Sequence, residues 1–180
     1  FLGRQVKRWY GQWERVATRE LADLDALHRK LASTTPSESD ATVVHGDYRL
    51  DNVLLATDDP GRVAAILDWE MAALGDPLTD VGLLTVYWDP ACSAVLPEGH
   101  APSSNAAFPS ADDLIETYAK ASGRDVSKLG FYRALGYFKL AIIAEGIHGR
   151  FLAGLTVGEG FETVGRAVPA LVASGLEYVR

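Results

Sequence analysis

The apolar residues of this chain change period twice, from helical to strand-like and back, and that alternation limits its architecture more than any other feature of the sequence. From about Arg4 to Ala32, Trp9, Trp13, Val16, Leu24, Leu27 and Leu31 recur at helical spacings while Arg, Glu and Asp fill the opposite face. This predicts an amphipathic helix with a break near Thr18. Ser33 to Asp40, with Pro36 and several hydroxyl residues, reads as a surface loop. The pattern then turns β-branched and short: Thr42-Val43-Val44, Val53 to Ala56, and Val63 to Leu67 are predicted strands. Asp58-Asp59-Pro60-Gly61 is the turn that makes the last two a hairpin.

Helical signals return at Asp76, predicted as an N-cap with Pro77 at the first helical position of a helix running to about Trp88. Asp89 to Pro109 is rich in Pro, Ser, Gly and Ala and lacks a period, so it is expected to be a long loop of the kind that forms a substrate lid or stays irregular. Ser110 with Asp113 forms a predicted capping box for a helix to about Ala121, stopped by Gly123. Two more helices follow, over about 127–152 and 160–178. The expected fold is α+β in a single domain: one broken helix, a small β cluster, then four helices, with no internal repeat.

With 180 residues and 48% hydrophobic content, one packed core is the natural outcome. A net charge of −7 argues against general nucleic-acid binding, which draws affinity from cations on phosphates. The lone cysteine, Cys92, excludes an internal disulfide and thiolate metal clusters, and suits a reducing cytoplasm. No apolar run is long enough to span a bilayer, and no basic-then-apolar leader opens the sequence, so neither membrane nor export is expected. The start, Phe1-Leu2-Gly3-Arg4, has no initiator methionine and runs straight into helical periodicity, which leads us to expect residues upstream.

The chemistry is concentrated in His45-Gly46-Asp47-Tyr48-Arg49-Leu50-Asp51-Asn52, a loop between two predicted strands, where side chains are displayed on a rigid base. Its Asp-x-x-x-x-Asn spacing is that of the protein-kinase catalytic loop, in which the Asp takes the substrate hydroxyl proton and the Asn binds magnesium. A chance His-x-Asp-x-x-x-x-Asn in a chain of this length is on the order of one in a hundred. Asn52 directly precedes the first hairpin strand and Asp68 directly follows the second, and antiparallel pairing brings such residues together. One amide and one carboxylate oxygen are a sufficient protein share of a magnesium shell, which keeps waters and phosphates for the rest.

The segments HGDYRLDN, LDWE and GDPLTDVG resemble the aminoglycoside phosphotransferase and choline kinase family, and within it the kinase-like domains of acyl-CoA dehydrogenase family members ten and eleven. The resemblance covers essentially the whole chain, but only as the C-terminal, catalytic lobe of a protein-kinase-like fold. It implies ATP and Mg2+, and γ-phosphate transfer to the hydroxyl of a small molecule. Asp47 would be the catalytic base, Asn52 and Asp68 the metal and nucleotide ligands, and His45 a residue that fixes the loop. Arg49 would lie beside the transferred phosphate and stabilise its charge. Asp76 and Asp80 are structural supports: Asp76 as N-cap, Asp80 either favoured by the helix dipole or accepting hydrogen bonds from the catalytic-loop backbone.

Departures from the pattern matter equally. The sequence contains no Gly-rich phosphate loop, no lysine of the Val-Ala-Ile-Lys type and no helix with its glutamate partner, so the nucleotide lobe is expected to be absent and turnover by these residues alone to be weak. Asp68-Trp69-Glu70 stands in place of Asp-Phe-Gly, which suits a small-molecule acceptor better than a protein. A non-catalytic kinase-like binding module is the alternative. A metallohydrolase built on His45 and Asp47 has little support, since the four histidines form no metal-binding pattern and His100 and His148 make no pair. Glu70 is open between a second metal and a salt bridge. Trp9, Trp13 and Trp88 read as core; Tyr137, Lys139, Glu145, His148 and Arg150 lie on a helix that, by the resemblance, would flank an acceptor pocket, while each taken singly reads as surface.

Overall fold

The computed structural model describes residues 1–37, 41–93, 95, 102, 105 and 107–180. The N-terminal periodicity resolves into two helices, α1 (Leu2–Val16) and α2 (Ala22–Ser33), separated near Thr18 as the pattern predicts. The break has a physical cause. The backbone N–H and hydroxyl of Thr18 both donate to Glu145, which lies far along the chain, so the linker is held by a tertiary partner rather than by helix bonds. Leu2, Leu24, Leu27 and Leu31 are fully buried, each contributing roughly 1.5–3 kcal/mol of apolar burial.

The β cluster is two separate antiparallel ribbons. Strand β2 (Val53–Leu55) pairs with β3 (Val63–Ile66) as the expected hairpin, with a register irregularity between Leu54 and Leu55. Strand β1 (Thr42–Val44) instead pairs with β4 (Ala73–Gly75), a strand that sequence reading did not expect. The two ribbons frame the loop 45–52 on one side and the segment 67–72 on the other.

Among the described residues, four α-helices follow: α3 (Leu78–Val86), α4 (Ala111–Ser122), α5 (Leu129–Leu152) and α6 (Phe161–Glu177). Ser110 and Asp113 close the predicted capping box, and Gly123 ends α4 in the left-handed conformation at φ 68. Helix α5 is apolar around most of its circumference because it is the central post, packed by α1, α2, α3 and α6. Its approach to α3 is close enough that a Cβ on Gly82 would meet the Tyr132 backbone at 2.6 Å. The expected loop over 89–109 lies in part outside the described residues, and with it His100 and the expected lid. Among the described residues, no helix is long and apolar enough to cross a membrane.

Two expectations about charge are corrected. Asp76 is fully buried and does more than cap: one carboxylate oxygen accepts from Leu78 N at 3.0 Å, and the other from the Tyr132 hydroxyl at 2.7 Å, which ties α3 to α5. Geometrically the capping position falls on Pro77. Tyr137, Lys139 and Glu145 are not surface residues of α5 but buried ones, because that helix has so little free surface. Arg150 is exposed, as expected.

Candidate active site

The loop after β1 opens with His45, buried with 2% of its surface exposed. Its Nε2 lies 2.7 Å from the Leu67 carbonyl, and its Nδ1 accepts from Asp47 N at 3.2 Å, so the ring bridges the two ribbons and shapes the turn, the loop-fixing part expected of it. Gly46 takes φ 83, and a Cβ there would fall 2.6 Å from the Met71 carbonyl, so only glycine fits. Asp80 reaches in from the first turn of α3: one oxygen accepts from His45 N at 2.6 Å, the other from Gly46 N at 2.9 Å. Both expected placements are met: Asp80 lies in the first turn of α3, and its carboxylate accepts from the loop backbone. From the opposite side, the Lys139 ammonium of α5 donates to the Gly46 carbonyl. The turn is thus clamped through both polarities of its backbone.

Asp47 follows, with its side chain 27% exposed. Its Oδ1 lies 3.5 Å from the Tyr87 hydroxyl and 3.7 Å from Lys139 Nζ. Burial first, then the Asp47 charge, push the Tyr87 hydroxyl above its usual range, so Tyr87 faces the carboxylate as a neutral donor. The Asn52 amide donates to the Asp47 carbonyl at 2.9 Å, and the Asn52 carbonyl accepts from Leu67 N at 2.8 Å. Asp68, next in the chain, is therefore delivered beside Asn52 by the β2–β3 pairing. It takes φ 64, a left-handed conformation for which Asp and Asn are the better-suited side chains, and which redirects the chain out of the strand.

These residues fit a hard cation. Because its nitrogen donates to a carbonyl, the Asn52 amide must present Oδ1 in the other direction, and among the described residues neither that oxygen nor the exposed Asp68 carboxylate has a donor. Among the described residues, no group of three or more His, Cys, Asp and Glu side chains forms a metal cage. A cation at Asn52 and Asp68 would hence complete its shell with water and phosphate, as magnesium does. Arg49 is occupied: its guanidinium pairs with Asp51 and lies 5.2 Å from the centre of the Tyr87 ring. Burial alone would lower its ionisation point, yet the pairing with Asp51 and the nearby Asp47 hold it raised, so the charge stays beside the loop. Glu70 lies at the wall of a cavity of about 220 Å³ enclosed by α1, the segment 70–73, α3 and α5, into which Lys139, Arg8 and Trp9 also face.

Sequence reasoning missed Tyr87 and Lys139 as neighbours of Asp47. Lys139 reaches the loop across 93 residues of chain, and its only local signal was a cation within an otherwise apolar helical face.

A helical frame carrying a His-Gly-Asp loop and a metal-competent Asn–Asp pair between short ribbons defines the C-terminal lobe of a kinase-like fold. The chain belongs to the phosphotransferase enzyme family (APH), whose model matches residues 1–123. It is 33% identical over 180 residues to acyl-CoA dehydrogenase family member 11 of Gallus gallus, covering 97% of this chain and 23% of that protein. The Homo sapiens member 11 is 32% identical over the same shares, and the Mus musculus member 10 is 30% identical over 86% of this chain and 15% of its own length. The chain thus spans about a quarter or less of the curated relatives it matches. Among solved structures, a protein assigned as an aminoglycoside phosphotransferase from Ralstonia eutropha superposes with a TM-score of 0.83 at 30% identity, over 99% of this chain and 55% of that one.

Proposed function

We propose that this chain is the catalytic half of an ATP- and magnesium-dependent phosphotransferase that places a γ-phosphoryl group on the hydroxyl of a small molecule. The observation that supports this most directly is the linkage of the segments carrying Asp47, Asn52 and Asp68 through one hydrogen-bonded frame. Asn52 is bonded by its amide to the Asp47 backbone and by its own backbone to the residue beside Asp68. The backbones of Asp47, Asn52 and Leu67 are therefore tied together, and Asp68 follows Leu67 directly.

In this reading Asp47 orients the acceptor hydroxyl and takes its proton, while Asn52 and Asp68 would hold magnesium and, through it, the nucleotide. Bound magnesium would supply charge neutralisation on the nucleotide phosphates. Arg49 adds a cation near the reacting phosphate, held ready by Asp51 and the face of Tyr87. His45, Asp80 and Asp76 do no chemistry; they fix the loop and the helix beneath it. A reducing cytoplasm suits the buried thiol of Cys92, which is pushed above its usual range by burial.

The test is nucleotide consumption by the full-length protein across a panel of hydroxylated metabolites, with Asp47→Asn and Asp68→Ala alongside. We expect Asp47→Asn to lose turnover while keeping nucleotide affinity, and Asp68→Ala to lose magnesium-dependent nucleotide binding as well. Full activity in either variant would remove that residue's assignment.

A further inference from the structure

We propose that Lys139 is a positioning residue for Asp47: the counter-charge that holds Oδ1 of the base and leaves Oδ2 for the acceptor hydroxyl. The inference rests on Asp47 being the base.

Of the five lysines in the chain, Lys7, Lys30, Lys120 and Lys128 are exposed, and Lys139 alone is buried, with 7% exposure. An ammonium is rarely taken out of water without a paired charge, so its burial at this point calls for a partner. The groups around it come from every neighbouring element. Asp47 Oδ1 is 3.7 Å away in the catalytic loop, and the Gly46 carbonyl accepts its hydrogen bond. Asp80 acts on it from α3. From α1, the Trp9 ring lies 5.5 Å away and Arg8 opposes the charge. Glu70 shares the cavity that Lys139 faces.

The geometry separates two functions that one lysine performs. Its bond to the Gly46 carbonyl is structural and indifferent to the state of Asp47. Its approach to Oδ1 is electrostatic and depends on the Asp47 charge. With Tyr87 on the same oxygen, both contacts of the carboxylate among the described residues fall on Oδ1. A proton acceptor works only when its basic oxygen is held at a fixed angle to the hydroxyl. Burial lowers the Lys139 ammonium from its ordinary value, with Asp47 and then Asp80 opposing that fall.

The experiment is an NMR titration of the five lysine side chains, labelled at 13Cε, in the 180-residue chain and in Asp47→Asn. We expect the Lys139 resonance to titrate below the other four and, in Asp47→Asn, to move lower still while those four stay in place. An unmoved Lys139 midpoint would overturn the coupling, because a lysine bonded only to the Gly46 carbonyl would not register the lost charge. If Asp47→Asn loses its native circular dichroism, Asp47→Ser serves in its place. The reciprocal arm follows the Asp47 carboxyl 13C resonance at neutral pH: displaced in Lys139→Met, restored in Lys139→Arg, and identical in all three if the proposal is wrong. Turnover by Asp47→Asn in the full-length protein would refute the base assignment while leaving the measured coupling intact. A dead Asp47→Asn with an unmoved lysine would refute only the coupling.

Discussion

Asp80 and Glu145 are both carboxylates that act on backbone amides, and each shows how much depends on one side chain. Asp80 satisfies His45 N and Gly46 N at once, and removing it leaves two loop donors without an acceptor beside a half-buried turn. Asp80→Ala should cost about 2–3 kcal/mol of unfolding free energy, measured by urea denaturation, and should depress turnover together with stability. Glu145 takes Thr18 N, the Thr18 hydroxyl and the Arg19 guanidinium. Burial by itself would raise its carboxyl, but these donors outweigh burial and hold it below its usual 4.5. Its contribution is therefore complete above that value and is lost as pH falls through the lower folded one. Glu145→Gln should lower the melting temperature at pH 7 and flatten its decline below about pH 4.5. A melting curve with the wild-type acid slope would show that Glu145 does not couple the α1–α2 joint to protonation.

Elements are held by two kinds of information, and only one is local. The capping box of α4 was legible because Ser110, Asp113 and Gly123 act within a few residues of one another, and Ser110→Ala should cost about 1 kcal/mol in thermal or chemical unfolding. The α3–α5 contact depends on residues fifty positions apart. A methyl group at Gly82 would enter the Tyr132 backbone, which no side-chain rotation relieves, so Gly82→Ala should cost at least about 2 kcal/mol and separate the helices that Asp76 joins. Strand β4 was invisible for the same reason: Ala73-Leu74-Gly75 has no β-branched residue and is extended only because Thr42–Val44 pairs with it. The candidate catalytic loop could be found because its spacing is sequential. Lys139 and Glu145 read as surface because each charge was taken by itself, although α5 is apolar around most of its circumference, the pattern of a helix covered on almost every side. Arg49 was expected to stabilise the charge of the transferred phosphate; its engagement with Asp51 and the face of Tyr87 needed coordinates.

At the scale of the molecule, the helical half has a continuous core while the ribbons do not. Val43, Leu54, Leu55, Val63, Leu67, Trp69 and Leu74 are all exposed, and a two-stranded ribbon in water is marginal without a covering layer. Asn52 and Asp68 lie at the ends of these same strands, so the precision of the proposed metal pair depends on how firmly the ribbon is held. The sequence also lacks the glycine-rich loop and paired lysine that grip nucleotide phosphates in kinases, and the chain covers 55% of its solved relative. Both arguments lead to the same expectation for residues 1–180 on their own: magnesium nucleotide should bind weakly, and turnover should fall by about a hundredfold or more against a longer protein that supplies a phosphate grip, since positioning carries most of the rate in phosphoryl transfer. Steady-state nucleotide consumption by the two forms, at matched concentration and with the same acceptor panel, measures the difference. Equal rates would mean that the ribbons are rigid enough unaided and that the nucleotide is held entirely by the loop, Asn52 and Asp68.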